Sequence, residues 1–322
     1  MNQQRTLADL KPFEKYRKAT RREKFLHTME KIVPWKKLCE LIEPFYPKKG
    51  RGRAPVGVER MLRIHFLQHW FALSDPAAEE ILYDVDSMRR FVGIDLGKEP
   101  VPDETTICKF RHLLESNGLG EKIFEEVNLH LEEQGVRLSK GTIVDATIIS
   151  APSSTKNAEK KRDPEMRSTK KGNQYYFGMK AHVGVDKETK TVHTLVTTSA
   201  NVHDSRVIGD LLRGDESEVY GDSAYMGKTK EIKKRAPCAA DLTHMHGCKN
   251  RKLTEEEIDR NRELSRTRSR VEHIFLVVKR IFGFDKVRYR GLAKNASFLN
   301  VQFALANIYM VRDRLLGSLS PI

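Results

Sequence analysis

What the sequence lacks narrows its class first. No apolar run approaches the roughly 18 residues that a membrane-crossing helix needs. The nearest, Phe298 to Val311, is interrupted by Asn300, Gln302 and Asn307 and reads as a buried helix. The N-terminal stretch MNQQRTLADLKPFEKYRKATRREK has no apolar core of the kind a signal peptide carries. Cysteine is scarce: Cys39, Cys108, Cys238 and Cys248 are scattered through 322 residues, which fits a reducing cytoplasm better than a disulfide framework. No basic amphipathic helix with a strongly apolar opposite face is present, which argues against an anionic membrane surface as partner. No internal repeat is visible.

What is present suits about two domains, at roughly 100–200 residues each. Hydrophobic residues make up 39% of the chain, enough for a core, and charged residues 32%. The formal net charge is +14. An excess of that size draws polyanions and is the electrostatic footprint of a nucleic-acid binder, although a merely soluble basic protein would share it.

The hydrophobic period changes along the chain. Residues 1–138 read as an all-helical region. Val56 to Leu73 places Met61, Leu62, Ile64, Phe66, Leu67 and Trp70 at mostly helical spacing. A second helix starts at Asp75-Pro76, an N-cap with proline in the first turn. A third starts at Asp103, and a fourth runs from Glu121 to Glu133 and ends at Gly135. From about residue 139 the pattern becomes that of strands. Thr142 to Ile149 is β-branched and apolar around one acid. Gly178 to Val185 and Thr191 to Thr198 alternate about a turn at Asp186-Lys187-Glu188. Val219 to Asp222 is a short strand ending in an acid. A helix over Thr229 to Arg235, a strand near Ala239 to Leu242, a long helix from Thr254 to Phe282 and a C-terminal helix over 296–316 packed on the sheet complete the expectation. Strands followed by strand–helix alternation predict an α/β domain over 139–322 with a mixed sheet.

Two segments are strongly basic. Pro47 to Pro55 (PKKGRGRAP) reads either as an ordinary charged linker or as a Gly-Arg arm that enters a DNA minor groove. Lys156 to Lys171, with Lys156, Lys160, Lys161, Arg162, Lys170 and Lys171, reads as a solvated loop or as a DNA-backbone contact beside the first acidic strand. Thr105, Thr106, Lys109 and Arg111 are candidate DNA contacts on the third helix, within a helix-turn-helix-like piece over 75–116.

Three acids carry the chemistry. Asp145 lies in the middle of IVDATII, where a carboxylate is costly unless it is paired or binds a metal. Asp222 ends the strand VYGD, and ligands collect at the carboxyl ends of strands in α/β sheets; a simple turn cap is the bland alternative. Glu272 shares a helix face with Arg268 and Lys279, at about 100° per residue. An Arg268–Glu272 i,i+4 pair is the bland reading there, worth a few tenths of a kcal/mol. Brought together, three carboxylates repel and raise at least one pKa. Hard cations relieve this, and Mg²⁺ suits carboxylates plus a substrate phosphate, with Mn²⁺ able to substitute. Two ions about 3.5–4 Å apart suit phosphodiester chemistry, with Arg268 and Lys279 holding phosphate.

In this order the motifs resemble the DDE transposases of bacterial insertion sequences, in the group named for insertion sequence five. EEILYDVDSMRRFVGIDLGKEPVPDETTICKFRHLLE (79–115) resembles the group's helical N-terminal domain. TIVDATIISAP, KKGNQYYFGMKAHVGVD, TTSANVHDS, YGDSAY and RTRSRVEHIFLVVKR follow, covering nearly the whole chain. The resemblance implies a ribonuclease H-like catalytic fold with Asp145, Asp222 and Glu272 as catalytic and metal-binding residues. It also implies a substrate of double-stranded DNA (the element's terminal inverted repeats and a target), a homodimer on DNA and a bacterial, nucleoid-associated location. The sequence departs from the fuller Y-x2-R-x3-E-x6-K pattern at Ser265, where related enzymes have Tyr. An inactive DNA-binding derivative and another ribonuclease H-like nuclease are the alternatives. His203-Asp204 reads as a turn cap or as a group supporting the metal site. Cys238, His244, His246 and Cys248 have the atom types of a zinc site but not the spacing of a familiar finger.

Overall fold

The computed structural model describes residues 18–50, 54–248 and 251–319. Most of the N-terminal stretch weighed above, and residues 51–53 at the centre of the Gly-Arg arm, lie outside the described residues.

Among the described residues seven α-helices precede the sheet: α1 (Arg21–Ile32), α2 (Trp35–Ile42), α3 (Val58–Trp70), α4 (Asp75–Asp84), α5 (Asp86–Val92), α6 (Glu104–Ser116) and α7 (Leu119–Glu133). Helix α3 is buried on every side from Met61 to Trp70, so it is the central element rather than an amphipathic surface helix. Its buried Arg63, His65, Gln68 and His69 each have a hydrogen-bond partner, while the Trp70 indole N–H has none among the described residues. Arg63 bonds Glu30 and Glu59, donates to the Phe91 carbonyl at 2.9 Å and lies 4.4 Å from the Trp35 ring. Helix α4 is capped one residue earlier than the sequence suggests, by the Ser74 hydroxyl accepting from the Ala77 N–H. Asp75 is thereby released to meet Gln68 and Arg111. Asp103 caps α6, accepting from the Thr106 N–H and the Thr105 hydroxyl.

Among the described residues the sheet has six strands: β1 (Gly141–Ser150), β2 (Arg167–Lys171), β3 (Gln174–Asp186), β4 (Val192–Ser199), β5 (Glu218–Gly221) and β6 (Ala240–Thr243). Strand β3 runs antiparallel to β1 on one side; on its other side it pairs with β2 along its first part and β4 along its second. β5 adds parallel to β1, and β6 parallel to β5. An antiparallel meander continued by parallel strands, flanked by helices, is a ribonuclease H-like sheet. The end of the basic segment, expected as a loop, is strand β2; it has no apolar alternation because most of it is open to solvent.

Helix α8 (Thr229–Arg235) matches its expected bounds. The long helix expected over 254–282 is instead a broken spiral. α9 (Glu255–Arg268) begins in a Thr254–Glu257 capping box, then passes through a 3₁₀ turn (Ser269–Val271), α10 (Glu272–Leu276) and a π turn (Val277–Ile281). Helix α11 (Leu292–Leu319) is longer than expected. It packs on β4 and also on α1, α3, α6 and α7, so it ties the helices to the sheet.

One apolar core runs from α1 through the helices and α10–α11 to one sheet face, which Ile143, Ile149, Val183 and Val185 supply. A smaller core lies on the opposite face, around Val144, Val219, Tyr225 and Ile232. Of the amides that interrupt the apolar run of α11, Gln302 and Asn307 are buried and bonded, and Asn300 is half-buried. Gln302 meets His69 at 2.6 Å. Asn307 accepts from the Val192 N–H at 2.8 Å, donates to the Val192 carbonyl at 2.7 Å and donates to Asn128 at 2.8 Å. It thus clamps the start of β4 as a neighbouring strand would. Asn307→Ala leaves these buried groups unmatched, so it should lower stability by about 2–4 kcal/mol. Urea denaturation checks this; an unchanged midpoint would mean that apolar contacts alone hold helix to strand.

Candidate active site

The β1–β5 ladder ends at the pair Ile143–Tyr220. Asp145 and Asp222 each stand two residues further on. Side chains alternate along a strand, so both acids project from the face that bears Ile143 and Tyr220, the face covered by α10. Asp222 leaves the strand in an extended conformation and caps the 3₁₀ turn Ser223–Tyr225, its Oδ1 accepting from the Ala224 N–H at 2.9 Å. Glu272 opens α10, just past the 3₁₀ break. The break and the π turn keep Arg268, Glu272 and Lys279 on one wall.

These residues line one cleft of about 550 Å³, together with Thr147, Lys171, Phe275, Leu276 and Arg280. A larger concavity of about 750 Å³ lies among α1, α3 and α5, but Arg60, Arg63 and Arg90 on its wall balance Glu23, Glu30 and Glu59. In the carboxylate cleft four cations, Lys171, Arg268, Lys279 and Arg280, stand against the three acids, and only Asp145 and Arg268 pair directly. Asp145 Oδ2 receives Arg268 Nη1 at 3.3 Å, and its Oδ1 accepts from the Ala146 N–H at 2.7 Å. Arg268 pairs with Asp145 rather than with Glu272. Even so, burial pushes the Asp145 carboxyl up to about 7, and the neighbouring Asp222 and Glu272 charges push the same way. Lys279 donates to the Ile148 carbonyl at 2.9 Å, so an ammonium with three donors keeps others for a ligand. Burial, then Lys171, lowers its pKa.

The remaining basic residues divide. Lys171 reaches the cleft, while Lys156, Lys160, Lys161 and Lys170 are exposed. Arg162 is exposed, its guanidinium 5.5 Å from the Phe177 ring. Lys109 is exposed on α6. Arg111 corrects the sequence reading. Its side chain is only 9% exposed, bonded to Asp75 and Glu115 at 3.0 Å each and 4.2 Å from the Tyr289 ring. A guanidinium so enclosed holds the helices together and has no face for DNA.

Arg280, Thr147, Phe275 and Leu276 line the cleft without having been singled out. In a regular helix Lys279 and Arg280 diverge by about 100°; the π turn turns both to the cleft, and no sequence periodicity announces it. His203 caps a 3₁₀ turn, while Asp204 accepts from Lys180 at 2.8 Å and lies 3.6 Å from His182. The Cys238, His244, His246 and Cys248 side chains do not gather: among the described residues no three His, Cys, Asp or Glu could hold a metal together. His244 instead lies 3.4 Å from the Ser265 hydroxyl. The same holds for the three acids, which share a cleft without closing on one point. Their donor chemistry nevertheless fits a hard divalent cation: oxygen ligands only, one of them held near neutrality by burial and by its anionic neighbours.

One carboxylate within a strand of a ribonuclease H-like sheet and another just past the end of its parallel neighbour, rimmed by cations, define a class of enzymes acting on phosphodiesters. Residues 137–308 match the family model described as Transposase DDE domain, and residues 14–113 the one described as Transposase domain (DUF772). The chain belongs to the DDE transposases, DNA-cleaving enzymes of transposition that depend in general on divalent metal ions. No solved structure matches it. No helix among the described residues is long and apolar enough to cross a membrane.

Burial of Asp145 has a measurable consequence. Its folded pKa of about 7 exceeds the ordinary 3.8, so the folded state binds the extra proton and loses stability as pH rises between those values. Asp145→Asn has no such loss. In chelator at pH 8 the variant should be more stable than the parent by an amount on the order of a few kcal/mol, with the difference gone near pH 4. Melting curves across that range decide it; a less stable variant at pH 8 would mean that Arg268 and the Ala146 N–H outweigh burial.

Proposed function

We propose that the protein is an active transposase that binds the terminal inverted repeats of its own insertion sequence, cleaves there and transfers the freed strand to target DNA. In this reading residues 1–138 recognise the ends and 139–322 cleave, on a homodimer that holds two ends together. The observation that carries it is the cleft with an acidic floor, Asp145, Asp222 and Glu272, and a cationic rim, Arg268, Lys279, Lys171 and Arg280.

Asp145, Asp222 and Glu272 would hold two Mg²⁺ ions, with Mn²⁺ as substitute. When bound, such a pair activates the attacking water or 3′-hydroxyl and stabilises the leaving oxygen. Arg268, relieved of neutralising Asp145, grips a phosphate with its planar fork. Lys279 stays tethered to β1 while its other donors meet a phosphate oxygen. Lys171 and Arg280 hold the backbone where it enters, with Lys156, Lys160, Lys161, Arg162 and Lys170 along the flank and Lys109 on the recognition side. Ser265 stands where related enzymes carry a Tyr, so no phenol at that position assists with the cut end.

The test is cleavage of DNA carrying the repeats that flank the gene. The parent should cut at the ends in Mg²⁺ or Mn²⁺. Asp145→Asn, Asp222→Asn and Glu272→Gln should each lose roughly a hundredfold or more in rate and still bind DNA. Lys171→Ala and Arg280→Ala should each weaken binding and reduce the slope of log affinity against log salt by about 1. End binding without cleavage by the parent in either metal would establish a non-catalytic DNA-binding protein instead.

A further inference from the structure

The seam between the N-terminal helices and α11 holds a line of buried polar groups that the reading above does not use. His65 and His69 lie one turn apart on α3, both buried, with their Nε2 atoms 3.2 Å apart. Their protons can be placed from their neighbours. Gln302 gives an amide N–H to the His69 carbonyl at 3.5 Å, which turns its Oε1 to His69 Nδ1 at 2.6 Å. An amide oxygen only accepts, so His69 carries its proton on Nδ1 and a lone pair on Nε2. His65 must then donate to that lone pair from its own Nε2, which leaves its Nδ1 as an acceptor. Burial first, then Arg111, lowers the His65 pKa to about 4, and burial first, then His65, lowers that of His69, so both rings are neutral near pH 7.

The line ends unmatched. His65 Nδ1 is buried without a hydrogen-bond partner among the described residues, and so is Arg111 Nε. The rest of the Arg111 guanidinium bonds Asp75 and Glu115, and Gln68, next to His65 on the helix surface, gives an N–H to Asp75 at 2.8 Å. An acceptor and a donor are thus left over on two residues that line one cavity of about 10 Å³, together with Leu114, Glu115, Ser297 and Phe298. That volume is about what a single water needs, and buried unmatched groups are what such waters serve. The chemistry of the occupant follows from the two atoms. It must donate to one and accept from the other, which a halide, a metal ion or an apolar atom cannot do.

We propose that this cavity is a site for one structural water, which donates to His65 Nδ1 and accepts from Arg111 Nε–H. Its second proton falls to Glu115 on the same wall. The water completes a hydrogen-bonded line from Gln302 through His69, His65 and Arg111 to Asp75, crossing from α11 by way of α3 and α6 to α4. Directional bonds, and not apolar contact alone, then join the N-terminal helices to the helix that packs on the sheet.

The full chain is tested in two ways. A crystal structure at a resolution that shows single waters should have one within about 2.6–3.2 Å of both His65 Nδ1 and Arg111 Nε. No density there, or the Ser297 hydroxyl turned to bridge the two atoms itself, would overturn the site. Long-range ¹H–¹⁵N spectra of histidine-labelled protein at pH 7, assigned by the signals lost in His65→Gln, should show His65 protonated on Nε2 and His69 on Nδ1. A proton on His65 Nδ1 would also overturn it, because the water would then have no lone pair to meet.

Discussion

Asp145 occupies the place in the sheet where a negative charge is hardest to keep. It is flanked along β1 by Val144 and Ala146 and paired across to Val183 on β3, with its side chain 14% exposed. Burial outweighs both its hydrogen bond from Ala146 and its contact with Arg268, which is why its pKa moves up rather than down. The neighbouring elements answer that charge. Helix α9 ends so as to deliver Arg268, and the 3₁₀ break after it delivers Glu272 within one residue of the next helical start. Two of the three acids thus make the third worse, a cost that the proposed binding of cations would relieve.

Such a cluster needs a stiff frame, and the frame is the shared core. The helices α1–α7 and the sheet do not form separate hydrophobic interiors: one cluster of buried side chains reaches from Leu26 to Val185. Helix α11 supplies the connection. Its buried amides bond each side in turn, Gln302 to His69 on α3 and Asn307 to β4. The position of α10 over Asp145 is therefore fixed by packing that extends well beyond the catalytic sheet. Arg111 belongs to that frame, since Asp75, Glu115 and Tyr289 meet around it from three segments.

Arg111 also shows where sequence reasoning ends. The apolar period identified α3, the start of α6 and strands β1, β4 and β5, and the acid inside IVDATII announced itself because polar residues rarely interrupt such a strand. A lone Arg on a helix carries no comparable signal: whether it faces DNA or a half-buried Asp depends on a tyrosine 178 positions later in the chain. Strand β2 was illegible for a different reason, since an exposed edge strand has no face to alternate. The breaks in the α9–α10 spiral leave the 3.6-residue pattern nearly intact and are set by tertiary contacts.

The net charge of +14 and the acidic cleft act at different ranges. At distances of several ångströms or more the basic excess draws DNA in, subject to screening over about 8 Å at physiological salt. At contact, a phosphate entering the cleft meets Asp145, Asp222 and Glu272, and like charges repel it unless cations intervene. On the proposed reading the two effects impose an order: DNA is captured along the basic flank without metal, but seats its scissile phosphate only after the acids are neutralised. Arg268 makes the order sharper. While it neutralises Asp145 its fork is unavailable to phosphate, and a cation that replaces it there releases it to the substrate. On that reading one arginine would couple occupation of the metal site to grip on the DNA, without any rearrangement of the strands that carry the acids.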